Sequence, residues 1–210
     1  MNIVIFANGD ISDNISIEKT LARQADYIIC CDGGLLLCNQ CEIQPNIIIG
    51  DMDSVSPHLL NEYKDVPIEK HNSVKDETDL ELGINHALTK NPSSITLLGG
   101  FSSDRFDHQL GNIQALAKAA EKGINCRMSN EFTDLYIINK NITIQKDPSK
   151  KHISIMPFTS QISGVITKGL GYPLDNETLT LPTTRGISNY FTKNQAEISI
   201  NSGIALIICT

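Results

Sequence analysis

The segment NIIIGDMDS, residues 46–54, decides the fold, because an unbroken apolar run ends there in a turn that carries two carboxylates. Three consecutive isoleucines favour a strand that is buried on both faces, as in parallel sheets covered by helices. Gly50 and the acidic residues after it indicate a turn at the carboxyl end of that strand. The segment therefore predicts an α/β fold.

The same pattern recurs outward from this segment over the first two-thirds of the chain. Further apolar runs occupy residues 3–7, 27–31, 95–99 and 124–128. Segments with helical spacing of apolar residues lie between the runs, near residues 16–25, 34–41, 56–63, 78–90 and 106–122. We predict an N-terminal domain over residues 1–139, built on a parallel, Rossmann-like sheet.

The last third of the chain shows strand alternation instead of helical spacing. Pairs such as Ile142/Ile144 and Ile198/Ile200 place apolar residues two positions apart, as in a strand with one buried face. Turn-forming segments such as KDPSKK, residues 146–151, separate these strands. We predict a small antiparallel β-sandwich domain over residues 140–210.

Composition and charge exclude several classes of protein. The 210 residues include 17 Lys and Arg against 24 Asp and Glu, a net charge of −7, so we expect no general affinity for nucleic acid or anionic membranes. No apolar run approaches the ~20 residues that span a bilayer. The opening MNIVIFANGD lacks the basic residues of an export signal, which favours a cytoplasmic protein with reduced cysteines.

Cys38 and Cys41 form the one C-x-x-C pair in the chain. Such a pair could be a redox site or half of a zinc site. Because there is no second pair and no histidine at ligand spacing, the favoured interpretation is two buried thiols on a helix.

Glycine and acidic residues follow four of the predicted strands, at residues 8–10, 32–34, 50–54 and 99–100. The carboxyl ends of parallel strands lie at one edge of a sheet, where open α/β sheets bind their ligands. Because separate segments converge there, we predict a ligand crevice at this edge.

Asp51 and Asp53 are separated by one residue in this predicted crevice. Such a pair can supply hard oxygen ligands to Mg²⁺, which usually also binds water and substrate phosphates. The alternative is an ordinary turn with solvated carboxylates. The buried strand before the pair and the neighbouring Asp32 favour the metal site.

The segment KDETDLE, residues 75–81, predicts the start of a helix. Thr78 and Glu81 fit a capping box, and Asp79 in the first turn suits the helix dipole. Capping explains these three residues without a ligand. It does not explain Lys75, three residues before the cap, where a phosphate could be bound.

The segment RFDHQLGN, residues 105–112, predicts a second helix start after Gly99 and Gly100. Arg105 could bind phosphate oxygens with its forked guanidinium, and Asp107 could bind a metal or orient a nucleophile. The alternative is an exposed Arg–Asp pair, which contributes at most ~1 kcal/mol.

Two glycine-containing motifs lie in the β-rich part, KGLGYPL at residues 168–174 and RGISN at residues 185–189. Tyr172 and Phe191 are candidates to stack on an aromatic ligand, and Ser188 and Asn189 are candidates to hydrogen-bond it. Each motif alone also fits an ordinary turn.

Six motifs together resemble those of the thiamin pyrophosphokinase family, also called thiamin diphosphokinase. They are CDGG (31–34), GDMDS (50–54), KDETDLE (75–81), RFDHQLGN (105–112), GLGYPL (169–174) and GISN (186–189), in the family's order. The resemblance implies an α/β catalytic domain that binds ATP, a β-sandwich that helps bind thiamin, and a homodimer with active sites at the interface. It also implies transfer of the pyrophosphoryl group of ATP to the thiamin hydroxyl, giving thiamin diphosphate and AMP.

The resemblance further implies roles for individual residues. Three carboxylates are implied as the Mg²⁺ ligands: Asp51, Asp53 and Asp79. Four residues are implied to face ATP or its phosphates: Asp32, Lys75, Thr78 and Arg105. Asp107 is implied to lie nearest the reacting hydroxyl. Thiamin contacts are implied for Ser188 and Asn189, in the site of the partner subunit, and Tyr172 is a further candidate from its motif.

The chain also departs from the family pattern. Many members have G-G-R before the Asp–His pair, whereas residues 99–104 here read GGFSSD before Arg105. Ile187 replaces the usual Thr. Because the chain has no Trp, an aromatic wall for thiamin must come from Tyr172, Tyr190 or Phe191.

Two other functions remain open from the residues. Another D-x-D, metal-dependent transferase that uses a nucleotide would account for Asp51 and Asp53 but not for KDETDLE or the β-domain motifs. A thiamin- or nucleotide-sensing module without turnover is suggested only by the altered loop at residues 101–104. A scaffold is the least favoured, because no repeat and no large charged or apolar face is evident.

Overall fold

The structure is a computed structural model that describes all residues from Met1 to Thr210. The chain divides into two compact units. Unit 1 is Met1–Leu116 with Arg127–Glu131, and unit 2 is Ala117–Cys126 with Phe132–Thr210. The boundary between residues 139 and 140, drawn from the change in sequence pattern, stays a prediction.

Unit 1 alternates strands with helices. Its elements are β1 (Asn2–Phe6), α1 (Ser16–Arg23), β2 (Tyr27–Cys31), α2 (Gly34–Gln40), β3 (Ile47–Gly50), α3 (Pro57–Glu62), β4 (Ile68–Lys70), α4 (Asp79–Leu88) and β5 (Ser94–Leu98). Helix α5 (Phe106–Ala120) begins in this unit, and β6 (Asn125–Ser129) ends in it. All pairings in the order β4-β3-β2-β1-β5 are parallel, which confirms the predicted α/β fold.

The register of these strands brings the predicted turns to one edge of the sheet. Cys30 lies beside Phe6 on β1 and beside Ile48 on β3, and Phe6 also lies beside Leu98 on β5. All four side chains are buried in the core of unit 1. The segments that follow β1, β2, β3 and β5 therefore all begin at the same edge of the sheet.

Strand β4 was not predicted from the sequence. Its three residues are all exposed, so neither an apolar run nor an alternation marks it. Backbone pairing with β3 holds it in the sheet.

Unit 2 is built from antiparallel strands. They are β7 (Asp134–Ile138), β8 (Asn141–Gln145), β9 (Ile153–Pro157), β10 (Gln161–Lys168), β11 (Glu177–Thr180), β12 (Gln195–Ser199) and β13 (Ala205–Cys209). One set has the order β7-β13-β9 and the other β11-β10-β12-β8. Ile155 and Ile207 from the first set share a core with Val165, Leu179 and Ile198 from the second. The predicted antiparallel β domain is confirmed.

The six cysteines are all free thiols with buried side chains. Cys38 lies on α2 and Cys41 is its C-cap, and both belong to the core of unit 1. Burial raises the pKa of Cys41 to about 12, so this thiol is unreactive at neutral pH. The pair is therefore structural. Separately, no helix of the chain is both long and apolar enough to cross a bilayer.

Candidate active site

A polar cavity of about 700 Å³ opens in unit 1 at the carboxyl edge of the sheet. The segments after β1, β2, β3 and β5 line it, together with the starts of α4 and α5. Its lining includes every residue predicted for the catalytic and ATP-binding side: Asp32, Asp51, Asp53, Lys75, Thr78, Asp79, Arg105 and Asp107. Residues from six separate segments thus meet in one place.

Three of these carboxylates converge most closely. One oxygen each from Asp32, Asp51 and Asp79 can be chosen so that all lie within 4.8 Å of one another. Asp32 follows β2, Asp51 follows β3, and Asp79 is the first residue of α4. The sequence predicted Asp32 beside the Asp51–Asp53 pair, but the family resemblance assigned Asp32 to ATP and implied Asp53 as the third metal ligand.

Asp53 lies in the same cavity but outside that group of three. Its backbone N–H donates a hydrogen bond to Asp51 Oδ1 (3.3 Å), and its own Oδ1 accepts one from the Ser54 hydroxyl (3.0 Å). The residue between the two carboxylates, Met52, has a φ of 67°. The turn therefore orients Asp51 toward the group, and the role of Asp53 as a ligand stays a prediction.

The chemistry of the three carboxylates fits a divalent cation. Asp32 is only 8% exposed, and its buried Oδ1 has no hydrogen-bond partner. An unpaired buried carboxylate oxygen is costly unless a cation or a donor satisfies it. Three carboxylate oxygens are the hard ligands that Mg²⁺ uses beside water and phosphate. Asp32, Asp51 and Asp79 would hold such an ion.

Gly50 leaves room for two of these carboxylates, Asp32 and Asp79. Its φ is +146°, and a Cβ built there would lie 3.1 Å from Asp32 Cβ and 3.2 Å from Asp79 Cγ. Any side chain at this position would occupy the space between the two carboxylates. The glycine in GDMDS is thus required by the local geometry.

Two cations already contact the carboxylates of the cavity. Lys75 Nζ donates to Asp79 Oδ1 at 2.6 Å, with both side chains largely buried. Arg105 donates from Nε and Nη2 to the two oxygens of Asp107, both at 3.1 Å. The exposed Arg–Asp pair considered as an alternative is therefore present, and it lies on the cavity wall.

The Arg105–Asp107 pair changes the acidity of its carboxyl group. The hydrogen bond from Arg105 lowers the pKa of Asp107 to about 2. Asp107 is consequently a carboxylate throughout the neutral range and can accept a hydrogen bond or a proton only as an anion.

The loop at residues 101–104 is held to two other segments through its two middle residues. Ser103 N–H donates to Asp10 Oδ2 (2.7 Å), and Ser102 N–H donates to Gln109 Oε1 on α5 (3.2 Å). The Ser102 hydroxyl also donates to Asp104 (2.9 Å). The bond from Ser103 to Asp10 was not predicted, since no local pattern links residues that are 93 positions apart.

A second cavity of about 440 Å³ lies within unit 2. Tyr172 and Asn189 line it, together with Leu174 and residues 184–187. The Tyr172 ring is edge-on to Tyr190, with centroids 5.7 Å apart. Ser188 is exposed but is not among the lining residues. Phe191, one candidate for stacking on a ligand, instead packs in the core of unit 2, where its backbone forms a bridge to Leu170.

Two family models match the chain. The model described as "Thiamin pyrophosphokinase, catalytic domain" matches residues 19–128. The model described as "Thiamin pyrophosphokinase, vitamin B1 binding domain" matches residues 139–205.

Proteins that carry this name are also similar to the chain in sequence and structure. Thiamine pyrophosphokinase of Bacillus subtilis (strain 168) is 32% identical over 180 residues, 84% of this chain and 84% of that protein. A crystal structure of thiamine pyrophosphokinase from Bacillus subtilis has a TM-score of 0.87 at 28% identity and covers 100% of this chain and 99% of that chain. One from Geobacillus thermodenitrificans has a TM-score of 0.84 at 22% identity, covers 100% and 97%, and supports the fold alone.

Proposed function

Because the chain belongs to the thiamin pyrophosphokinase family, we propose that it transfers the pyrophosphoryl group of ATP to the hydroxyl of thiamin. The products are thiamin diphosphate and AMP. The observation that carries the proposal is the meeting of three carboxylates, a lysine and an arginine in one cavity. That combination suits a polyphosphate with bound metal.

The reaction makes one bond and breaks one bond at the β-phosphorus of ATP. The thiamin oxygen forms the new bond, the bond to the oxygen shared with the α-phosphate breaks, and the hydroxyl proton leaves. The charge on three phosphates must be neutralised, and the attacking and leaving oxygens must be held in line with the β-phosphorus. Little covalent catalysis is needed. Positioning and electrostatics can therefore supply most of the rate enhancement.

We propose Mg²⁺ as the metal, held by Asp32, Asp51 and Asp79, with Asp53 as the further candidate from the sequence. Bound Mg²⁺ would neutralise phosphate charge. Lys75 and Arg105 lie on the cavity wall, where their cationic groups can bind phosphate oxygens. Thr78 and Asp32 remain candidates for nucleotide contacts.

Asp107 is the proposed acceptor of the hydrogen bond from the thiamin hydroxyl. Its pKa of about 2 makes it a weak base, so it would orient the hydroxyl and take the proton late, when the new bond has made that oxygen acidic. Arg105 would fix the direction of the carboxylate through their two hydrogen bonds.

The thiamin site is proposed for unit 2, at Tyr172 and Asn189, which line its cavity, and at the exposed Ser188 beside it. Tyr172, Tyr190 and Ile187 are exposed by 67%, 47% and 43%, and Tyr172 and Ile187 line the cavity. We propose that this surface completes the site of a partner subunit in a homodimer. We also propose a cytoplasmic location, where the six thiols would stay reduced.

The test is to incubate the purified protein with ATP, Mg²⁺ and thiamin and to quantify AMP and thiamin diphosphate over time. Equal amounts of both products, abolished by omitting thiamin or by adding a chelator, are expected. Release of a nucleoside diphosphate would favour the alternative D-x-D transferase. Thiamin binding without AMP would favour a sensing module.

A further inference from the structure

Asn189 has most of its hydrogen-bonding capacity occupied by backbone groups. Its Oδ1 accepts from the Tyr172 N–H and the Tyr190 N–H, both at 2.9 Å, and its Nδ2 donates to the Tyr172 carbonyl at 2.7 Å. An Asn side chain offers two acceptor sites and two donor hydrogens. Three of these four are therefore committed within the chain, on a residue that is only 3% exposed.

The backbone of Asn189 is also fixed. Its N–H donates to the Ile153 carbonyl (3.0 Å), and its carbonyl accepts from the Ile153 N–H (2.9 Å). The preceding N–H, of Ser188, donates to the Ser154 hydroxyl (3.0 Å). These bonds fix the backbone of Asn189 to β9. The side-chain amide of Asn189 in turn holds the backbone of Tyr172, 17 positions away.

The segment that Asn189 holds carries an aromatic pair. The Tyr190 ring lies against Gly171, where any side chain would collide with the ring. Tyr172 stands edge-on to Tyr190 at an interplanar angle of 86°. Both rings are exposed while both of their backbone N–H groups are bonded to Asn189. One buried amide thus sets the positions of two exposed rings.

We propose that Asn189 is a positioning residue, which acts on thiamin through Tyr172 and Tyr190 rather than by direct contact. This inference rests on the proposed function, in which the aromatic surface of unit 2 receives thiamin. In this proposal the two tyrosine rings recognise thiamin, and Asn189 keeps them in the orientation that does so.

A double-mutant cycle tests the proposal. Asn189→Asp is nearly isosteric and keeps the acceptors for both N–H groups, but it replaces the donor to the Tyr172 carbonyl by a carboxylate oxygen, which repels that carbonyl. We expect it to raise KM for thiamin at least about tenfold, from the lost buried hydrogen bond and this repulsion, while KM for ATP is unchanged. In a Tyr172→Ala background the same substitution should add less than about twofold. An equal further rise in that background, or an equal rise in KM for ATP, would overturn the proposal.

Thr167→Val is the matched control. Thr167 is a buried side chain whose Oγ1 accepts from Leu174 N–H at 2.8 Å. It therefore binds the same segment at Leu174 and not at the residues that carry the two rings. We expect Thr167→Val to lower the melting temperature and leave KM for thiamin within about twofold of wild type. If Thr167→Val raised KM for thiamin as much as Asn189→Asp does, general loosening of the segment would explain both results, which would contradict the proposal.

A second readout needs no turnover. The chain has five Tyr and no Trp, so its near-ultraviolet circular dichroism in the tyrosine region is free of tryptophan signals. Asn189→Asp should change this spectrum in ligand-free protein, and Thr167→Val should not. If wild type makes no AMP but the spectra differ as expected, the proposed function fails and the positioning role survives. Unchanged spectra in an active enzyme would refute the positioning role alone.

Discussion

Asp32, Asp51 and Asp79 place three carboxylates around one point, and like charges at such distances repel each other. Lys75 offsets part of this repulsion through Asp79. The buried Oδ1 of Asp32 has no such partner. The folded chain therefore holds an arrangement that is poor for stability alone and good for binding a cation.

Asp51→Asn should consequently separate activity from stability. We expect turnover to fall at least ~100-fold, as when a group that stabilises transition-state charge is removed. The free energy of unfolding should stay within about 0.5 kcal/mol of wild type or rise, because one repelling charge is gone. Steady-state kinetics and urea denaturation measure the two effects.

Asp65→Asn is the control for this experiment, since Asp65 is exposed and outside the cavity lining. It should change neither quantity. Parallel losses of activity and stability in Asp51→Asn would argue that Asp51 is structural.

The pKa of Asp107 is lowered mainly by Arg105, with a smaller contribution in the same direction from His108. Because Arg105 lowers the pKa of Asp107 to about 2, Arg105→Gln should return this pKa toward the usual value of about 3.9. A lowered folded-state pKa contributes stability above about pH 4, which is lost as the pH falls toward 2. Carboxyl ¹³C chemical shifts across pH 2–6 would check this, and an Asp107 titration near pH 2 in Arg105→Gln would contradict it.

At the residue scale, the sequence predicted which side chains share the crevice because the ends of parallel strands must meet. It could not predict which of Asp32 and Asp53 would join the closest group. That outcome depends on the left-handed backbone of Asp32 and Met52, with φ of 44° and 67°. Nor could it predict that the Asn189 amide binds the backbone of Tyr172, because the two residues meet only after unit 2 has folded.

At the scale of elements, Gly50 at the end of β3 lies between Asp32, which follows β2, and Asp79, which begins α4. Gly50→Ala would force a Cβ between Asp32 and Asp79. We expect a loss of stability of about 1–3 kcal/mol from backbone strain, together with a roughly tenfold rise in the Mg²⁺ concentration needed for half-maximal activity.

Gly123→Ala provides the comparison for Gly50→Ala. Gly123 also has a positive φ, +82°, but a Cβ there would meet nothing within 4 Å. It should lose stability through strain and keep its Mg²⁺ dependence. Equal Mg²⁺ dependence in the two variants would disprove a role for Gly50 in spacing the carboxylates.

The strands could be predicted where their burial requires a recognisable run of apolar residues. β1, β2 and β3 are almost wholly buried, and each was predicted from its apolar run. β4 has no buried residue and left no such pattern. Elements held in place by backbone pairing alone cannot be read from side-chain periodicity.

At the scale of the whole molecule, unit 2 contains one buried ion pair that the sequence did not indicate. Lys150 Nζ lies 2.5 Å from Asp134 Oδ2, and the two residues are 3% and 4% exposed. Residues 146–151 were predicted as a turn, and the Asp147 carboxylate does accept from Ser149 N–H at 2.9 Å. Lys150 nevertheless turns inward, because Asp134 is buried at the start of β7.

Lys150→Met should destabilise unit 2 by about 3–5 kcal/mol, since it removes the ammonium partner of a buried carboxylate. Lys168→Met removes an exposed ammonium that lies 3.7 Å from Glu197 and should cost less than ~1 kcal/mol. Urea denaturation followed by circular dichroism compares the two variants. Similar losses would show that burial of the Lys150 pair adds nothing to its strength.

Alkylation of the buried cysteines can report which of the two units has unfolded. Cys30, Cys31, Cys38 and Cys41 lie in unit 1, and Cys126 and Cys209 lie in unit 2. An alkylating reagent reacts with exposed thiolates, so each adduct marks an excursion from the native state. A mass spectrum taken during partial unfolding would therefore gain four adducts when unit 1 opens alone and two when unit 2 does. Six at once would mean that the two halves open together.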